Sequence, residues 1–235
     1  MLVVTDSKIP LPCKASLESR GFRVLPLPPF SALDPRVASH PDMLILPLHG
    51  HLFAHERYYK EASAELCRIA KDASLSLTLT SDEIGKEYPR DVRMNAAVIG
   101  NNIIGKKDAV SHEIIDLALR HQMHFENVKQ GYAKCSSVVL GDKAMITADR
   151  GIAAACRALS LDALEIKSGS VLLDGYDYGF IGGASGVYDK TVFFCGDLSL
   201  HPDGDNIVAF CQKHGFEAVS LSKEPLYDVG TLFFF

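Results

Sequence analysis

The chain has no tryptophan, no long run of one charge and no pair of cysteines at C-x-x-C spacing. Its six cysteines, Cys13, Cys67, Cys135, Cys156, Cys195 and Cys211, lie far apart. That excludes a cysteine-type zinc site and fits reduced thiols in a cytoplasmic protein. No apolar run approaches the roughly 20 residues a membrane span needs. The opening MLVVTDSK turns polar at Thr5, unlike a signal peptide. Lysine and arginine are scattered and the net charge is −5, so no basic stripe points to nucleic acid. The expectation is a protein with neither a cofactor nor a membrane or nucleic-acid partner. Its oligomeric state is left open.

What is present is an ordinary globular composition, 47% hydrophobic and 23% charged, read as a single domain over residues 1–235. The densest glycine stretch is GYDYGFIGGASG, Gly175 to Gly186. It lacks the G-x-G-x-x-G spacing and runs through a turn at Tyr188-Asp189-Lys190 into TVFF, a strand. A phosphate loop needs a strand before it and a helix after it. These glycines instead predict close backbone approach inside a crowded sheet.

The chain also repeats itself. NAAVIGNNIIGKKDAVSHEIIDLALRHQMHFENVK and SSVVLGDKAMITADRGIAAACRALSLDALEI share one pattern: strand, tight turn, strand, polar break, helix, short strand. The turns, Gly100-Asn101-Asn102 and Gly141-Asp142-Lys143, have tight-hairpin chemistry. A further copy runs from the glycine stretch through a helix at Gly204–His214 to a strand at Glu217–Leu221. Another begins at DMLILPL, with a helix near Arg57–Ala70. The N-terminus supplies part of a fifth: MLVVTD, a helix near Lys14–Ser19, and GFRVLPL. Its missing strand is offered by VGTLFFF, so Thr231–Phe235 is expected to pair with Leu2–Thr5 and remove an exposed edge. The fold class is therefore α/β: five ββαβ units in a pseudo-fivefold ring, closed by pairing of the terminal strands. Helix faces such as Ile114, Ile115, Ala118 and Leu119 point inward. An open doubly wound sheet also alternates strands and helices, but parallel sheets need crossovers where this chain has hairpins.

Each unit hands over to the next at a junction: HPD-MLIL, PRD-VRMNAAVI, AKC-SSVVL, GYD-YGFIGG and LYD-VGTLFF. Aligned this way, Asp42, Asp91, Cys135, Asp177 and Asp228 occupy one position. Converging carboxylates repel unless a cation neutralises them or one stays protonated. A pocket for a cationic small molecule follows, with Arg93, Lys134 and Tyr178 beside it. Cys135 is the candidate nucleophile if Lys134, Arg90 or Arg93 lowers its pKa. The competing reading is that each Asp caps a turn. Separately, HGHLFAHE places His49, His51 and His55 close together, which offers a divalent-metal site as an alternative chemistry.

Five ββαβ units with functional groups at the junctions resemble the guanidino-group-modifying, or pentein, fold. That group includes arginine and agmatine deiminases, dimethylarginine hydrolases and amidinotransferases. The resemblance covers essentially the whole chain and lives in its architecture. YPRDV resembles the segment in which such enzymes place a substrate-binding Asp, here Asp91. GYDYGF stands at their His-x-Asp segment, with Tyr176 or Asp177 in place of the histidine. Their nucleophilic cysteine lies on the last inner strand, where this chain has YDVGTLFFF. Its last cysteine, Cys211, falls on an expected helix. The resemblance thus implies a diverged bacterial branch that keeps the fold and an acidic pocket but lacks the usual His and C-terminal Cys.

Overall fold

A computed structural model describes residues 1–235. Five helices each join the second and third strands of a small sheet. The first sheet contains β1 (Leu2–Asp6), followed by α1 (Leu11–Ser19) and β2 (Arg23–Leu27). A short helix α2 (Pro41–Leu44) leads into β3 (Ile45–Leu48), β4 (His51–His55), α3 (Glu56–Asp72) and β5 (Ser76–Thr80). The same order recurs as β6 (Ala97–Ile99), β7 (Asn102–Gly105), α4 (His112–Arg120) and β8 (His124–Asn127). It recurs again as β9 (Ser137–Leu140), β10 (Ala144–Thr147), α5 (Arg150–Ala158) and β11 (Asp162–Glu165). The last copy is β12 (Ser185–Tyr188), β13 (Thr191–Phe194), α6 (Gly204–Lys213) and β14 (Glu217–Ser220), followed by β15 (Phe233–Phe234).

The result is five separate three-stranded sheets. In each, the first strand is antiparallel to the second and the second parallel to the third, as in Ala97↔Ile104 and Ile104↔Glu126. Tight turns enforce the antiparallel step. Gly100 and Gly141 sit at φ 55° and 60°, and Asp189 at 51°. Helical crossovers enforce the parallel step. The expected pairing of the terminal segments is present: β15 runs antiparallel to β1, with Val3 opposite Phe234 and Leu2 N–H donating to Phe235 O at 2.9 Å. No helix is long and apolar enough to cross a membrane.

Second strands are almost wholly buried; first strands are mostly buried, except β15, whose two residues are half-buried; third strands are half-exposed. Each helix buries one face on its sheet, as α4 does with Ile114, Leu117 and Ala118. Leu119 departs from expectation. It is 61% exposed, because the buried stripe runs through 114, 117 and 118, and position 119 falls outside it.

The glycine stretch acts through backbone proximity. A side chain at Gly182 would run into the carbonyls of Lys134, Cys135 and Ser137, and one at Gly186 into the carbonyl of Leu232. Glycine therefore lets β12 lie directly against β15. Gly186→Ala should cost about 2–3 kcal/mol, since overpacking a closed core must displace backbone. Gly85→Ala, where the nearest atom to a new methyl lies 3.9 Å away, should stay within about 0.5 kcal/mol of the parent. Urea unfolding of the two variants checks the contrast.

Candidate functional site

The segments entering the five first strands meet one another. Two residues before each of β3, β6, β9, β12 and β15 stand Met43, Asn95, Cys135, Gly183 and Thr231. They are linked in a cycle of hydrogen bonds. Asn95 Nδ2 donates to Asp42 O at 3.2 Å, and Asn95 Oδ1 accepts from the N–H groups of Lys134 and Cys135 at 2.8 and 3.2 Å. Gly183 N–H donates to Cys135 O, Thr231 N–H to Gly183 O, and Asp42 N–H to Gly230 O. Thr231 sits at φ 72°, costly for a β-branched residue, and these bonds hold it there. Its hydroxyl donates to Asp42 Oδ2 at 2.7 Å and accepts from Lys134 Nζ at 3.1 Å.

This geometry corrects the junction alignment. Cys135 and Asp42 lie two and three residues before their strands, but Asp91, Asp177 and Asp228 lie six, eight and five before theirs. The reason is that strands β6 and β12 begin later than the sequence pattern suggests, after irregular turns at 81–96 and 166–184. The five residues are not symmetry mates.

Several of them still converge. Asp228 is fully buried and accepts from Phe180 N–H at 2.8 Å and Gly230 N–H at 2.9 Å. Burial pushes its carboxyl up to about 6. Together with His40, Met43, Tyr132, Cys135, Asp177 and Phe180, it lines a cavity of about 290 Å³. Val37, Leu173, Tyr176 and Tyr178 complete the lining. Asp177 and Tyr178 are exposed at the mouth. Asp91 acts one step away, accepting from the Tyr132 hydroxyl at 2.5 Å, and burial raises its carboxyl pKa.

Arg93 does not reach the cavity wall. Its guanidinium donates to the carbonyls of Glu83 and Ala109, and Arg90 pairs with Glu83 and Glu87. Neither can activate Cys135. The thiol is pushed well above its usual value by burial and by the neighbouring carboxylates of Asp42 and Asp228. Burial also lowers the pKa of Lys134, against the pull of Asp42, Cys135 and Asp228. Asn95 Nδ2 donates to Cys135 Sγ at 2.9 Å, and Asp42 Oδ1 is buried without a partner.

The sequence reading missed His40, Asp6 and Asn95. His40 is 3% exposed, with Nε2 at 3.2 Å from Asp6 Oδ2 and Nδ1 at 3.8 Å from Asp228 Oδ1. Burial lowers its pKa and keeps the ring neutral near pH 7. Ser39 Oγ and Lys8 N–H donate to Asp6 Oδ1. The signal for His40 lies in the HPD junction itself, two residues before Asp42.

The three histidines offered for metal have protein partners instead. His49 stacks on His121 at 4.3 Å, His51 Nδ1 meets Thr78 Oγ1, and His55 caps α3 and bonds Asp82 O. The donors that do fall within 4.8 Å of one another are those of Asp82, His112 and Glu113. There Asp82 bonds the first residue of α4 and Glu113 the Ser81 segment, so the cluster reads as helix capping.

A family model described as a family of unknown function (DUF6873) matches residues 4–233. The chain belongs to the DUF6873 family. No curated protein matches it by sequence. Solved structures do match the DUF6873 chain by shape. A mutant of DDAH from Pseudomonas aeruginosa complexed with citrulline has a TM-score of 0.58 at 10% identity, covering 94% of this chain and 91% of its own. An adduct of dimethylarginine dimethylaminohydrolase with S-methyl-L-thiocitrulline also gives 0.58, at 8% identity over 94% and 92%. An amidinotransferase from Microseira wollei in the saxitoxin biosynthetic pathway gives 0.55, at 13% over 89% and 72%. The DUF6873 chain therefore shares the fold of these enzymes, the pentein fold.

At pH 7, iodoacetamide should modify exposed Cys67 well before Cys135. Asp42→Asn removes a carboxylate that holds the Cys135 thiol protonated, so it should speed alkylation of Cys135 and not of Cys67. Peptide mass spectrometry over a time course reads both rates. Labelling of Cys135 ahead of Cys67 in the parent protein would contradict the assigned environment.

Proposed function

We propose that this protein binds a small organic cation, an amine or a guanidinium, in the cavity lined by Asp228, Asp177, Tyr178 and Cys135. The observation that carries the reading is the lining itself: its charged groups are carboxylates, one of them buried under the floor with unused acceptor capacity. A buried carboxylate without a matching cation is costly, and a bound cation offsets that cost. Asp42 and Lys134 act beneath the cavity through Thr231, and Asp91 acts through Tyr132. Structures of the same fold that hold citrulline and S-methyl-L-thiocitrulline support a small-molecule site. In this reading the chain is one cytoplasmic domain, residues 1–235, and its five sheets form a closed pseudo-fivefold ring with the cavity at one end of the axis.

A second reading adds chemistry to binding. Asn95 Nδ2 lies 2.9 Å from Cys135 Sγ, and Asp42 Oδ1 is an unpartnered acceptor within the same buried cluster. The thiol proton would pass to Asp42. The Asn95 amide would hold the resulting thiolate as it attacks the guanidinium carbon of the ligand; the C–N bond would break, the amine would leave with the proton held by Asp42, and water would then cleave the new C–S bond and return the thiol.

Binding should follow the ionisation of Asp228. Only its ionised form pairs with a cation, and its carboxyl titrates at about 6. Affinity for guanidinium should therefore be flat above that pH and fall about tenfold per pH unit below it. Asp228→Asn should abolish both the binding and its pH dependence. Calorimetric titration from pH 4.5 to 8 tests this. Undiminished binding by the Asn variant would end the proposal.

A further inference from the structure

We propose that the ligand is an alkylamine or guanidine, cationic at neutral pH, that carries an aromatic ring and no carboxylate. This rests on the cation-binding reading above and narrows it to a substrate class.

Aromatic side chains are the first ground. Tyr132, Tyr176, Tyr178 and Phe180 all line the cavity. Phe180 lies between two of them, stacked on Tyr132 at 5.9 Å and meeting Tyr178 edge-on at 6.4 Å. Tyr88 extends the series outward, 5.8 Å from Tyr132. Tyr176 and Tyr178 remain 43% and 44% exposed although they are large and apolar in body. Such a grouping at a cavity mouth marks a surface that a ring can cover. The volume, about 290 Å³, suits a small organic molecule rather than a bare ion.

Charge is the second ground. Asp177 at the mouth and Asp228 in the floor are both carboxylates, and burial keeps His40 neutral. A ligand carboxylate would have to lie among these groups. One elementary repulsion at about 7 Å, with an effective dielectric constant near 20, weakens binding by roughly 50-fold. Two basic groups lie close by, and both are already engaged: Lys134, beneath the cavity, donates to Thr231 Oγ1 and faces Asp42 and Asp228, and Arg36 sits at the rim beside Tyr176. The Arg36 guanidinium is held by Asp34 and donates to Gly175 O at 2.9 Å. It also lies over the Tyr176 ring at 4.3 Å, so the rim already seats one guanidinium on an aromatic face.

The absence of tryptophan supplies the assay. Indole fluorescence of an added probe can be excited beyond the tyrosine band without protein background. Tryptamine is the main probe. Tryptophan differs from it by the carboxylate, and agmatine and guanidinium lack the ring. Tryptamine should bind at least tenfold more tightly than tryptophan, and at least tenfold more tightly than agmatine by competition. Tyr178→Ala and Phe180→Leu should weaken tryptamine about tenfold while leaving guanidinium within about twofold. Tryptophan binding as well as tryptamine, or agmatine displacing tryptamine at equal concentration, overturns the inference and leaves cation binding standing. If guanidinium, agmatine and tryptamine all fail to bind, the cation site and this inference fall together.

Discussion

The buried carboxylate of Asp228 is the constraint around which the centre of this protein is arranged. Its two oxygens accept from Phe180 N–H and Gly230 N–H, and so tie the end of the glycine stretch to the segment entering the last strand. Because it fills the space between them, a side chain cannot fit at Gly183, where it would overlap the carboxylate, nor comfortably at Gly179. Two glycines of the stretch, Gly179 and Gly183, are therefore the shape complement of one acid, while Gly182 and Gly186 make room for neighbouring carbonyls. Holding the carboxylate out of water is costly, and two neutral N–H donors repay that cost only in part. A raised pKa is the visible sign of the remainder. Structural stability alone would be better served by an apolar residue there.

How much of this could be read from the chain depends on range. Strands and turns were legible because they are local. Gly100, Gly141 and Asp189 occupy the positive-φ positions that tight hairpins demand, and the apolar strand pattern flanks them. The pairing of Phe233–Phe234 with Val3–Val4 was legible by elimination, since an incomplete unit at one end and a spare strand at the other have one economical solution. The register of the junctions was not. An Asp before an apolar run looks the same whether the strand begins at once, as it nearly does after Asp42, or only after an irregular turn, as with Asp91 and Asp177. Turn residues carry no periodicity from which to count. His40 was hidden by resemblance, because HPD at 40–42 and HPDGD at 201–205 share the composition of a helix start. Both histidines are buried, yet only His40 faces Asp6 and Asp228.

The repeated architecture explains why so varied a set of residues meets. Five similar units bring the same backbone position to one place, and the position two residues before each first strand carries Met43, Asn95, Cys135, Gly183 and Thr231. Each does something different there. Asn95 stitches three segments with one amide, Gly183 makes room for Asp228, and Thr231 relays between Lys134 and Asp42. Symmetry supplies the convergence, and the individual side chains supply the chemistry. That division fits the likeness to DDAH and to an amidinotransferase at about a tenth identity. The scaffold is set by hairpins and crossovers that many sequences satisfy, whereas a site is set by a few residues that can change without disturbing it.

The state of Cys135 follows from the same electrostatics. The buried sulfur faces two carboxylates, so its proton stays on. Asn95 is placed to favour the thiolate, but a single amide donor does not outweigh burial and two negative charges. A cation seated against Asp228 would change that balance, because it cancels part of the field that holds the proton in place.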